Sequence, residues 1–138
     1  MLRLIVPTLS LLLTLPLAAQ AASKQEFELN KLLQKVAKES SVGTPRAINE
    51  DILDQGYTVE GKALINHLSV RASHAARMQE NPAQVRSQLG DSVCRNTGYR
   101  QLLAKGAILT YEFTEYHSNT PVAVERFDAG SCRIKLQQ

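Results

Sequence analysis

Tryptophan is absent from this 138-residue chain, and phenylalanine and tyrosine together number seven. So few aromatics weaken any reading based on base stacking. Charge is nearly balanced, with 16 basic and 13 acidic side chains and a formal net charge of +3. The basic residues (Lys31, Lys35, Arg46, Arg77, Arg100) are scattered among acidic ones, which describes a solvated surface and no nucleic-acid footprint. There are two cysteines, Cys94 and Cys132, 38 positions apart, so neither a CxxC redox pair nor the start of a zinc cluster is present. The three histidines, His67, His74 and His117, do not form the two-His helical motif of zinc proteases. Ser92, in GDSVC, lacks the second glycine of a nucleophile elbow, and no glycine-rich phosphate loop occurs. No metal or cofactor is expected.

The one long apolar run is at the start, MLRLIVPTLSLLLTLPLAAQAAS. Arg3 precedes an uncharged stretch from Leu4 to Leu17, followed by Ala19-Gln20-Ala21, the small residues a signal peptidase requires. A 14-residue run broken by Pro7 is too short to span a hydrocarbon layer of about 30 Å. Residues 1–21 therefore read as a cleaved signal and 22–138 as a single exported domain, periplasmic or secreted. No cysteine stands directly after the cut, so neither a lipid anchor nor any other membrane anchor is expected in the mature chain. Removing Arg3 lowers the net charge from +3 to +2.

Within the domain, Leu29, Leu32, Leu33 and Val36 fall at i, i+3, i+4 and i+7 of a helix over 24–40, an apolar stripe expected to pack on the core. Gly43 and Pro45 end it. Alternating apolar residues on either side of Glu60-Gly61-Lys62 predict a hairpin of strands 52–60 and 63–70, with Asn66 an unexpected polar residue on the apolar face. Helical spacing returns through Val85, Leu89 and Val93, with Pro82 suited to a first helical position after Asn81. A break near Asn96 leads into a short helix, 99–105, closed by Gly106. Alternation over 107–114 and 122–127 predicts a second hairpin. The order helix, hairpin, helices, hairpin describes an α+β two-layer sandwich: helices on one face of a small antiparallel sheet.

After export the surroundings are oxidising, so Cys94 and Cys132 are expected to pair as a structural disulfide; the alternative is a reactive thiol. Glu112 and Glu115 lie on opposite strand faces, which disfavours a paired acid/base site, and no catalytic residue is assigned. VGTPRAINEDILDQGY has two readings. It is either a structural joint, with Arg46 paired to Glu50 or Asp51 and Asn49 capping a turn, or a recognition surface formed by Arg46, Asn49, Glu50 and Asp51.

The segments GTPRAINEDILDQGY, INHLSV and SVCRNTGYRQLLAKGAILTYEF, with the cysteine of DAGSC, resemble the family of quorum-sensing-regulated virulence factors, small exported proteins of Gram-negative bacteria. The resemblance runs from about Ser41 to Cys132, and its block from Cys94 to Cys132 is also similar to a broader set of exported bacterial domains. It implies a small α+β domain acting as an exported, virulence-associated accessory factor, with no catalytic residues to carry over. Three functions follow as expectations: a non-enzymatic factor binding a protein of the host or envelope, a periplasmic inhibitor or assembly accessory that pairs a partner with its sheet edge, and, third, a small hydrolase.

Overall fold

The structure, a computed structural model, describes residues 17–137, with side chains from residue 23 onward. The expected signal, residues 1–21, thus lies for the most part outside the described residues. Helix α1 (Leu17–Ser40) leads through the short strand β1 (Arg46–Ala47) to β2 (Ile52–Glu60) and β3 (Ala63–Val70). Helices α2 (Ala72–Glu80), α3 (Pro82–Arg95) and α4 (Thr97–Ala104) come next, then β4 (Ile108–Glu115), β5 (Pro121–Phe127) and a 3-10 turn (Gly130–Cys132). The α+β class holds, and the first hairpin has the expected bounds. No described helix is long and apolar enough to cross a membrane.

The five strands lie in chain order, β1-β2-β3-β4-β5. The sheet is mixed, which corrects the expected antiparallel one: β3 and β4 pair in parallel, Leu64 beside Leu109 and Leu68 beside Phe113. Alternation reveals which residues share a face but not strand direction. Here three consecutive helices carry the chain back across the sheet, and such a crossover is what a parallel pair requires.

Leu64, Leu68 and Val70 of β3, Leu109 and Phe113 of β4 and Phe127 of β5 all point to the helical layer and are buried. Leu64, Leu109 and Phe127 cluster with Leu29, Leu33 and Ala37 of α1, Val93 of α3, and Leu102 and Leu103 of α4. Ala75 and Met78 of α2 cover the other end, over Leu68, Val70 and Phe113. Gly90 lets α3 approach the sheet, since a Cβ there would stand 3.2 Å from Phe127 Cε1. Arg86 fastens the same helix, placing Nη1 2.8 Å from Glu125 Oε2 and its guanidinium 4.7 Å from the Phe127 ring centre. Among the described residues no helix packs on the opposite face of the sheet, which carries Ile65, His67, Thr110, Glu112 and Val124.

Asn81 stands at the start of α3, but its side chain does not cap that helix. Its side-chain amide donates to the Arg77 carbonyl at 3.0 Å and so closes α2. Asn96 does cap α4, accepting from the Tyr99 N–H at 3.0 Å. Cys94, at the end of α3, is bonded to Cys132 in the 3-10 turn, as expected. Asp128 shapes that turn by accepting from the Ser131 N–H at 2.9 Å and its hydroxyl at 3.1 Å. Those two bonds, the backbone one first, hold the Asp128 carboxyl below its ordinary value. Removing a 38-residue cross-link should lower stability by about 4 kcal/mol in the chain-entropy account. Urea unfolding of the native protein, the reduced protein and a Cys94→Ala/Cys132→Ala variant should therefore give one high midpoint and two matching low ones.

Candidate functional site

The segment expected to be either a joint or a recognition surface is spread over several contacts. Arg46 Nη2 stands 3.7 Å from Asp54 Oδ2, not beside Glu50 or Asp51, because the β1–β2 register sets Arg46 directly across from Asp54. Asn49 caps its turn as expected, its Oδ1 accepting from the N–H of Asp51 at 2.8 Å and of Ile52 at 2.9 Å. Asp51 turns toward α2, with Oδ2 3.5 Å from Arg77 Nη2 and 3.9 Å from His74 Nδ1. Asn49, Glu50 and Asp51 line a cavity of about 190 Å³ with Leu53, Ser69, Arg71 and Tyr116. Arg46 is not part of it.

Asp54, which the sequence did not mark out, organises this corner. It is buried at 4% exposure. Its Oδ1 accepts from the Gly56 N–H at 2.9 Å and from Asn66 Nδ2 at 3.0 Å. The polar residue on the apolar face of β3 is thereby explained: Asn66 serves a bulge in β2, where the register shifts between Asp54 and Gly56. Gly56 takes a φ of +104°, and a Cβ on it would come within 3.0 Å of Thr44 Oγ1. Only glycine suits that position.

A second region is more distinctive. Leu29 and Leu33 of α1 are buried in the core, whereas Leu32 and Val36 are half-buried along a groove between α1 and α4. The groove contains a cavity of about 300 Å³ lined by Leu32, Val36, Tyr99 and Leu102, with Gln101 and Lys105 on its rim. A further cavity of about 260 Å³ extends it toward Gln25 and Glu28, sharing Leu32 and Lys105. Gln137 closes that end, its N–H donating to the Ala104 carbonyl at 2.8 Å. From Gln25 to Val36 the floor follows α1 for about 16 Å, three turns of helix. Sequence reasoning assigned all four stripe residues to the core. The width of the stripe was the available signal, since Leu32 and Val36 stand to one side of Leu29 and Leu33.

Beneath the groove, Tyr99 brings its hydroxyl within 3.4 Å of that of Tyr57. Burial first, and the Tyr99 hydrogen bond second, push Tyr57 well above the ordinary tyrosine value, and burial pushes Tyr111 up to about 12. The histidines remain apart. His67 on the open face has Nε2 2.6 Å from Thr58 Oγ1, His74 is on α2 beside Asp51, and the His117 ring stacks at 4.0 Å on Tyr116. Among the described residues, no three His, Cys, Asp or Glu side chains gather into a metal site.

Asp54→Ala strands the Asn66 amide and the Gly56 N–H and should cost about 1–3 kcal/mol in urea unfolding. Arg46→Ala, removing an exposed partner, should cost less than about 1 kcal/mol. Tyr57 and Tyr111 stay neutral in the folded chain while their unfolded counterparts ionise near 10.0, so stability should fall as pH rises through the window from 10 toward 12. Tyrosinate absorbance should show the two ionising together with unfolding, and Tyr111→Phe should shallow that loss.

A family model described as "Putative quorum-sensing-regulated virulence factor" matches residues 22–133. Among curated proteins no match was found. A crystal structure described as a putative secreted protein from Pseudomonas aeruginosa is similar at 82% identity and a TM-score of 0.78, covering 79% of this chain and 96% of that one. Two distant structures share the fold. A type 2 secretion system pilotin from Vibrio vulnificus has 15% identity and a TM-score of 0.65, with 80% of this chain and 96% of that chain covered. A type II secretion system pilotin from Vibrio cholerae has 18% identity and a TM-score of 0.66, with 81% and 99% covered. The chain belongs to the quorum-sensing-regulated virulence factor family.

Proposed function

We propose that residues 22–138 are exported through the inner membrane and act as a non-enzymatic accessory factor that binds a protein partner in the groove between α1 and α4. The groove carries the reading. It offers Leu32, Val36, Tyr99 and Leu102 as an apolar floor, with polar and charged residues along the rim, the arrangement of a specific binding surface. Export is supported by the family match, which begins at the residue after the expected signal cut, and by the relative described as secreted. The fold held in common with two secretion-system pilotins favours an accessory of the cell envelope over a factor directed at the host.

A second reading uses the sheet edge. Arg86 donates to the Arg126 carbonyl at 3.2 Å, which covers β5 at that end. Pro121 to Val124, uncharged and with Val124 49% exposed, is left for a partner strand. Arg46, Asn49, Glu50 and Asp51 are proposed as a further contact surface, beside the smaller cavity.

A photo-crosslinking residue placed in turn at Gln101, Val124 and Glu50, in the native bacterium, tests these surfaces together. One protein should be captured from Gln101, and the exposed Lys105→Glu should abolish its capture without moving the urea midpoint. Capture from Val124 alone would transfer the function to the sheet edge, and from Glu50 alone to the 46–51 segment. No adduct at any of the three would overturn protein binding. The intact mass of the captured form should begin at Ala22, and its recovery from periplasm or medium identifies where it acts.

A further inference from the structure

The solvent side of α1 carries a segregated pattern that partner binding in the groove does not use. Lys24, Phe27, Lys31, Lys35 and Lys38 are all exposed. At about 100° per residue they fall in one sector about 80° wide, running about 21 Å along the helix. The helix also contains Glu26, Glu28 and Glu39, and all three fall outside the sector. Glu28 and Glu39 stand along one margin, and Glu26 is on the far side. Among the described residues, none of the four lysines forms an ion pair.

Phe27 distinguishes this sector from an ordinary solvated face. The other two phenylalanines, Phe113 and Phe127, are buried at 4% and 3% exposure, while Phe27 is 65% exposed. Lys31 Nζ lies 5.7 Å from its ring centre, so the one exposed phenylalanine is set within the cationic sector itself. An apolar ring among unpaired lysines matches a surface whose phosphates attract the cations and whose acyl boundary accepts the ring.

We infer that this sector of α1 docks the protein on a bilayer surface bearing anionic phospholipid headgroups. The docking is peripheral and electrostatic, with Phe27 as a shallow anchor. About 100° of helix rotation separates the centre of this sector from the groove floor at Leu32, so a docked molecule keeps the groove mouth open to one side.

The test is co-sedimentation of the mature protein with phosphatidylglycerol vesicles, with phosphatidylcholine vesicles as the neutral control. Binding is expected to the anionic vesicles alone and should be lost in high salt, where charges more than a few ångströms apart are screened. Changing Lys24, Lys31, Lys35 and Lys38 together to Gln should weaken binding at least about ten-fold. Phe27→Ser should weaken it independently, and Glu26→Gln should leave it unchanged. All substituted positions are exposed, and the Lys31→Gln/Lys35→Gln double variant serves if the quadruple one fails to fold. The inference is overturned by equal binding to neutral vesicles, by undiminished binding of the lysine variants, or by no sedimentation with anionic vesicles in low salt. Retention on a soluble polyanion without vesicle binding would likewise overturn the lipid assignment.

Discussion

The parallel pairing of β3 with β4 is the constraint on which the rest of the architecture depends. Parallel neighbours must be joined by a chain that returns to the starting end of the sheet. Here α2, α3 and α4 make that return within residues 72–104, all on one face. The helix preceding the sheet, α1, packs on the same face over β2 and β3, through Leu29, Leu33 and Ala37. Four helices thus compete for one side of five strands. The other side has no described helix on it, and its Ser69 and Thr110 are buried.

That crowding explains the groove. α4 is only eight residues long and is directed at β4, where Leu102 and Leu103 reach Leu109. α1 is directed at β2, two strands away. Each helix seals its own part of the core, and the shoulders facing each other, Leu32 and Val36 on one and Tyr99 and Leu102 on the other, remain a shallow apolar channel. The half-buried Tyr57 and Tyr99 bring a polar hydroxyl contact of 3.4 Å into this otherwise apolar region.

The parts of this fold legible in the sequence were those governed by local chemistry. Glu60-Gly61-Lys62 fixed the first hairpin, Asn96 and Gly106 bounded α4, and the two cysteines expected to pair, Cys94 and Cys132, are bonded. Long-range relations were less legible. Period-two alternation in 107–114 is the same for a parallel and an antiparallel strand, so the mixed sheet was missed. The identity of Arg46's partner depended on β1 pairing with β2, and a two-residue strand leaves no periodicity to detect. Asn66 did signal its role, as a polar residue in an apolar stripe, but its partner Asp54 comes into register only through the bulge at Gly56. The groove was obscured because Leu32 and Val36 are indistinguishable by type from the core residues beside them.

The disulfide has a wider role than closing a loop. Cys132 is held against α3, and from that turn the chain continues to Ile134, which packs on the core, and to Gln137, which bonds to the last carbonyl of α4. The tail therefore forms the end wall of the groove at a position set by the clasp. Asp128 shapes the same turn through Ser131. The cross-link thus completes a surface bounded by α1, α4 and the tail. Without the Cys94–Cys132 bond that wall would lack its tether.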